Sequence, residues 1–325
     1  MSTENAAIVN EPRQVPLPNR TVGLIGLGAM GAPIAQNFAN AGQALVVRDA
    51  DPTAQERFVE GNRTAVSASD LAEFAACDVV VLILPNSDIV DQVVLADGGL
   101  LTHLTPGSVI VDMGSSVPSR TRYLAQAAAA RGIRVVDAPV SGGVTRALKA
   151  DLAVMLGGDE ATIASVMPLL ETTGRKIVHV GPVGSGHAAK ALNNLLSATG
   201  LVAAAEVLLV GRKFGIDPST LLSVINASSG RNQATDTKYE QFIFSRTYAS
   251  GFGAQLMRKD IGIALDLARQ QDVPTVLGDV LGRMWGDAVD GLDAGADHTE
   301  VVRYLEQLSA VSLDALITDT NGSSN

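Results

Sequence analysis

The segment Gly186–Glu206, GHAAKALNNLLSATGLVAAAE, is a largely apolar helical run that carries Lys190 and the amide pair Asn193-Asn194 near its start. Lys190 and Asn194 are four residues apart, on one face of a helix, so both can address the same small molecule. A buried ammonium is expensive and a buried amide must find partners. Either this end of the helix meets solvent or it lines a site. Asn193 points about 100° away from its neighbour, and structural hydrogen bonding is its default. His187 reads as a cap or supporting group. A second constellation is Ser141-Gly142-Gly143, directly after a strand ending at Val140. A hydroxyl and two unhindered backbone N–H groups can clamp a carboxylate, because glycine lets the chain turn its amides toward an anion. Alone the tripeptide is a plain loop; taken with a lysine-bearing helix, the clamp is the better reading.

A third constellation is the turn Gly26-Leu27-Gly28-Ala29-Met30-Gly31, between the apolar run TVGLI and a helical segment. The first glycine makes a tight turn, the second lets backbone approach a pyrophosphate, and the third lets helix and strand pack closely. The helix N-terminus adds free N–H groups and the positive end of its dipole. About 20 residues on, a second strand ends in Asp49, placed to accept from an adenosine ribose and to repel a 2′-phosphate. The alternative for Asp49 is a turn with Asp51-Pro52. Arg48, which could reach a 2′-phosphate, keeps NADP open, but NAD is favoured.

These residues need a scaffold, and the pattern supplies one. TVGLIG, ALVVRD, VVVLILP, SVIVDM, RVVDAPV, LAVML and KIVHV read as strands, several apolar on both faces. APIAQNFANAG, SDLAEFAACD (with an Asp70/Glu73 capping box), SDIVDQVVL, PSRTRYLAQAAAARG and EATIASVMPLLE read as helices between them. The alternation implies βαβ units and a doubly wound α/β sheet of Rossmann type. The strand signal stops at Gly181–Gly186, and a long helix from about His187 to Phe214 opens an all-helical C-terminal domain. The expected organisation is a flexible arm over 1–19, a dinucleotide-binding domain over 20–183, a helical domain over 184–314, and a flexible tail over 315–325.

Composition narrows the partners. The 325 residues are 46% hydrophobic and carry a net charge of −10, which argues against nucleic acid and anionic membrane as partners. An anionic ligand would need a local cationic or N–H-lined pocket. One cysteine, Cys77, allows no internal disulfide, and the four histidines fall in no metal-ligand spacing, so no metal is expected. The first segment lacks an apolar signal core, and a cytoplasmic location is expected. Ala191–Val210 approaches the ~20 residues of a membrane helix, but with Asn193, Asn194 and Glu206 in it, a buried helix is the more economical reading.

Four motifs in order, GLGAMG, DMGSSVP (Asp112–Pro118), DAPVSGG (Asp137–Gly143) and GHAAKALNN, resemble the β-hydroxyacid dehydrogenase family. SSGR (Ser228–Arg231) and GFGAQLMRKD (Gly251–Asp260) are similar to its C-terminal segments. The resemblance implies a Rossmann-type domain, a connecting helix, an all-helical domain as in 6-phosphogluconate dehydrogenase, and homodimers or homotetramers formed through the helical domain. It implies Lys190 as the catalytic lysine with Asn194 beside it, and Ser141, Gly142 and Gly143 on the carboxylate of a small substrate. Leu84, Pro85 and Ser115 match cofactor-lining positions, and Lys259 matches a lysine near the nicotinamide. The implied activity is NAD(P)-dependent hydride transfer on a small β-hydroxy acid such as 3-hydroxyisobutyrate, with Lys190 as acid and base. Reduction of a semialdehyde, imine reduction, 6-phosphogluconate oxidation and a regulatory nucleotide-binding module are the alternatives. Gly114-Ser115 departs from the family's Ser-Thr. Arg146-Ala147 and Ala150-Asp151 depart after SGG, and Arg146 either adds a cation near the pocket, for a second acidic group, or faces solvent.

Overall fold

The structure, a computed structural model, describes residues 16–314. The chain divides into two compact units, the division falling between His187 and Ala188. In chain order the first unit comprises β1 (Val22–Ile25), α1 (Gly31–Asn40), β2 (Leu45–Arg48), α2 (Pro52–Glu60), β3 (Ala65–Ser67), β4 (Val79–Leu82), α3 (Ser87–Leu95) and α4 (Leu100–His103). There follow β5 (Val109–Asp112), α5 (Pro118–Ala129), β6 (Arg134–Asp137), β7 (Val140–Ser141), α6 (Gly143–Ala147), β8 (Ala153–Gly157), α7 (Glu160–Leu170) and β9 (Lys176–Gly181).

One sheet runs in the order β3-β2-β1-β4-β5-β6-β8-β7, with β9 beside β8. The strands from β3 to β6 are parallel, and β8 runs antiparallel to both β6 and β7. β1, β4 and β5 are buried at every residue. Alternate side chains serve opposite faces: Val79 and Val81 join one core cluster, Val80 and Leu82 another. The strand order reverses between β1 and β4, which opens a crevice beyond their carboxyl ends. Leu17 lies buried in the same core as β1 and donates its N–H to Gln43 at 3.1 Å. The remainder of the expected arm, 1–15, and the expected tail, 315–325, lie outside the described residues.

The segment expected as a helix after Ser69 is a 3₁₀ helix, Leu71–Ala76, opened by the Asp70/Glu73 capping box. The sequence reading places no strand at Ala65–Ser67, where β3 pairs with β2.

α8 (Ser185–Phe214) begins at the end of the first unit and continues through the second. After it come α9 (Pro218–Asn226), a π-helix over Ala234–Phe244, α10 (Ala254–Gln270), α11 (Val276–Asp290), a 3₁₀ turn at His298–Glu300 and α12 (Val301–Ser309). Trp285 and Tyr239 are fully buried and cluster with Leu201, Ala205 and Leu208 of α8. The Tyr239 hydroxyl donates to the Leu201 carbonyl at 2.7 Å. Among the described residues α8 alone is long and apolar enough to cross a membrane, by length and composition, and half of its most apolar stretch is buried in the protein.

Candidate active site

Three loops of the first unit meet at the carboxyl ends of β1, β4 and β5. Gly26 has φ +105°, and a Cβ there would stand 2.2 Å from the Ile83 carbonyl oxygen. A Cβ on Gly31 would stand 1.9 Å from the Gly26 carbonyl, so α1 packs directly on the turn. Gly28 has nothing within 4 Å of its Cβ position. The space before it is open, and a side chain would fill it. No side chain caps α1. The Ala32 and Ile34 N–H groups donate to the Gly28 and Met30 carbonyls at 3.1 and 3.3 Å and Pro33 has none, so the amides ahead of Ala32 are those an anion would meet. The Leu27 N–H donates to Asp49 Oδ2 at 2.5 Å and the Asp51 N–H to Oδ1 at 2.9 Å, which ties the carboxylate to the turn. Each oxygen retains acceptor capacity for a ribose hydroxyl. Asp51 separately caps α2 through Thr53. Arg48 donates to the Ala68 and Ser69 carbonyls, which engages its guanidinium at the end of β3. A glycine cradle open at Gly28, an uncapped helix start and an acid at the end of β2 fit a dinucleotide.

The departure at Gly114 has a steric reason. A Cβ would stand 2.8 Å from the Leu84 carbonyl and 3.0 Å from Asp112 Oδ1, and the Gly114 N–H already donates to that oxygen. Leu84, Pro85 and Ser115 thus lie on adjoining loops. Ser141 ends β7, and Gly142 and Gly143 follow at φ +137° and +68°, conformations that favour glycine. Arg146 pairs with Asp151, Nε donating at 3.0 Å, and lies over the Gly142 backbone.

The start of α8 is held by Asp137, which is fully buried. It accepts from the Gly184 and His187 N–H groups at 2.6 and 2.9 Å. The His187 ring sits beside Thr121 Oγ1 at 2.9 Å and 3.7 Å from Asp112 Oδ2, which makes it a supporting group at the helix start.

In the second unit, Lys190 and Asn194 are both buried. The Asn194 amide donates to Asp260 Oδ2 at 2.6 Å, while Lys259 Nζ lies 3.7 Å from Asp260 Oδ1. Arg258 pairs elsewhere, with Asp290 at 2.6 Å. The Lys190 ammonium stands 5.8 Å from the centre of the Phe252 ring. Burial pulls Lys190 below the ordinary lysine range; the Asp260 charge opposes this and the Lys259 charge adds to it. Lys190, Asn194 and Lys259 therefore gather around one carboxylate.

Sequence reasoning missed Lys238, on the π-helix. Its ammonium donates to His298 Nε2 at 2.9 Å and lies 3.3 Å from Ser197 Oγ, and burial pulls it down to about 8. Asp297 accepts from Ser250, Gly251, Phe252 and Thr299, and the Phe252 and His298 rings meet edge to face at 5.7 Å. No helical period marks Lys238. Asp260 and Phe252 stand within GFGAQLMRKD, where contact with Asn194 and Lys190 has no local sign.

Residues 21–181 match the family described as the NAD binding domain of 6-phosphogluconate dehydrogenase. Residues 184–305 match that of the NAD-binding region of NADP-dependent 3-hydroxyisobutyrate dehydrogenase. The 2-(hydroxymethyl)glutarate dehydrogenase of Eubacterium barkeri is 38% identical over 300 residues, 90% of this chain and 97% of that one. The NAD-dependent L-serine dehydrogenase of Pseudomonas aeruginosa is 38% identical over 266 residues, covering 80% and 89%. The Mycobacterium tuberculosis 3-hydroxyisobutyrate dehydrogenase structure with L-serine superposes with a TM-score of 0.80 at 30% identity, covering 88% of this chain and 99% of that one. This chain is a member of the β-hydroxyacid dehydrogenase family, an NAD(P)-dependent oxidoreductase of small hydroxy acids.

Proposed function

We propose that the enzyme oxidises the hydroxyl of a small 3-hydroxy acid, and reduces the matching semialdehyde, with Lys190 as general base and acid. The observation that carries this reading is a buried lysine whose proton affinity burial has lowered, four residues from an amide fixed by a carboxylate. An ordinary lysine stays protonated near neutral pH and is a poor base. Neutral Lys190 takes the hydroxyl proton at Nζ; the ammonium returns it to the carbonyl oxygen in the reverse direction. Asn194, oriented by Asp260, holds the same oxygen. Ser141 and the Gly142 and Gly143 amides receive the substrate carboxylate. Gly26 to Gly31, Asp49, Leu84, Pro85 and Ser115 hold the dinucleotide, with Lys259 toward its nicotinamide end. A bound nicotinamide supplies the hydride acceptor. Asp49 favours NAD, since a 2′-phosphate would meet its charge.

The enzyme works as a homo-oligomer of the helical unit, because α8 is apolar on its outer face as well as its inner one. Leu192, Leu196, Val207, Val210 and Phe214 are exposed at helical spacing. Cys77 is free and buried, which suits a reducing compartment such as the cytoplasm.

Lys190→Met should lower kcat on 3-hydroxyisobutyrate by roughly 10²–10⁴ while NADH binding, titrated by fluorescence, is retained. Near-normal turnover in the folded variant would remove Lys190 from the chemistry. Run with both cofactors, the unmodified enzyme should show the higher kcat/KM with NAD; a preference for NADP would overturn the reading of Asp49.

A further inference from the structure

Lys190, Asn194 and Ser197 fall within one narrow arc of α8, since offsets of four and seven residues return to the same face. Ser197 lies about 10 Å beyond Lys190 along the helix axis, and Lys238 Nζ lies 3.3 Å from its hydroxyl. The two lysines are joined by a second route. The Phe252 ring faces the Lys190 ammonium and meets the His298 imidazole edge to face, and that imidazole accepts from Lys238. Both cations therefore belong to one wall of the helical unit, the wall that carries the hydroxyl chemistry.

The Lys238 ammonium has three donors. One goes to His298 Nε2 and one to Ser197 Oγ. Its negative counterpart, Asp297, stands on the far side of the imidazole. That carboxylate accepts from the Ser250 hydroxyl at 2.8 Å, the Gly251 and Phe252 amides at 2.9 and 3.2 Å, and the Thr299 amide and hydroxyl at 2.9 and 2.6 Å. With Nε2 accepting, the imidazole proton sits on Nδ1, 3.1 Å from the Phe252 carbonyl and 2.9 Å from Ser250 Oγ. Lys238 is thus fixed in place by neutral groups and retains a donor. A buried ammonium held this way is a ready partner for a carboxylate, whose charge would complete its compensation. Arg146, the other candidate for such a role, is paired with Asp151.

We propose that Lys238 binds a second carboxylate on the substrate, at the end of a short carbon arm away from the hydroxyl, so that the preferred substrate is a dicarboxylic 3-hydroxy acid. The inference rests on the assignment of the hydroxyl to Lys190. A monocarboxylic acid leaves the third Lys238 donor without an anion, and a site built on a polar group discriminates strongly against an analogue that leaves it unpaired.

The test compares 2-(hydroxymethyl)pentanedioate with 2-(hydroxymethyl)pentanoate, which carries a methyl in place of the terminal carboxylate. The unmodified enzyme should favour the diacid in kcat/KM by about tenfold or more, mainly through KM. Lys238→Met should collapse that ratio toward one, and Lys238→Arg should keep part of it. Lys238→Gln keeps a donor to His298 and removes only the charge, so it serves if the methionine variant does not fold. Equal use of both acids by the unmodified enzyme, or an equal loss on both in the variants, would overturn the role of Lys238. Thermal stabilisation of the NADH-bound enzyme by the diacid separates this inference from the one beneath it. Stabilisation that depends on Lys238 without turnover would count against Lys190 alone, whereas no stabilisation would count against Lys238.

Discussion

The proton affinity of Lys190 is set by burial and by two charged neighbours that act in opposite directions. Burial lowers its proton affinity, the Asp260 carboxylate raises it, and the Lys259 ammonium lowers it further. The proposed role of Lys190 as base requires it neutral in oxidation, so kcat/KM for oxidation should rise with pH through a limb lying below the ordinary lysine value, and reduction should fall through the same limb. Lys259→Gln removes a like charge, so the limb should move to higher pH. Asp260→Asn removes the opposite charge while leaving an oxygen to accept from Asn194, so the limb should move to lower pH. A full pH profile of each variant checks the signs; shifts in the same direction, or none, would assign the limb to another group. Lys190 and Asn194 were legible because a cation and an amide interrupt an apolar helix at one-turn spacing. The contact of Asp260 with Asn194, 66 residues away, has no local sign.

The three glycines of the phosphate turn differ in what surrounds them, and so should their variants. Gly31→Ala places a methyl 1.9 Å from the Gly26 carbonyl. Overpacking of this kind costs about 1–3 kcal/mol, and at ~2–4 °C per kcal/mol for a unit of this size the melting temperature should drop by several degrees. Gly28→Ala meets nothing within 4 Å, so its melting temperature should stay within about one degree while its NADH dissociation constant rises by roughly tenfold or more. Thermal melts beside fluorescence titrations separate the two; a Gly28→Ala protein that binds NADH normally would remove that position from the cradle. The turn was legible because its demands are local. β3 was not, because three residues on an edge, with only Ala65 buried, carry neither alternation nor an apolar run. The π-helix was not, because its turn is wider than the 3.6-residue period that marks an amphipathic helix, and with it Lys238 escaped notice.

At the scale of the molecule, a chain of net charge −10 buries the lysines Lys190 and Lys238 in its helical unit, and the proposed reading has them meet the acid substrate. The change from alternating strands and helices to helices alone was legible in the apolar pattern, which reports what each segment must bury. That same pattern does not say what buries α8, which is apolar around most of its circumference. Its inner face, with Leu201, Ala205 and Leu208, lies in the core of the helical unit. On its outer face Leu196 is 72% exposed, Val210 71% and Phe214 83%. Apolar surface that runs along a 30-residue helix marks an interaction site, and a second copy of the same helix can match it along its length, as a two-fold interface requires. The monomer is 33.6 kDa. Sedimentation velocity in detergent-free buffer should give the mass of a dimer or a larger closed oligomer. Leu196→Asp combined with Val210→Asp should shift the protein toward monomer with its helical circular dichroism preserved, since neither side chain contributes to the core. A monomeric unmodified enzyme at micromolar concentration would overturn the self-association, and recovery only with the membrane fraction would assign the outer face of α8 to lipid.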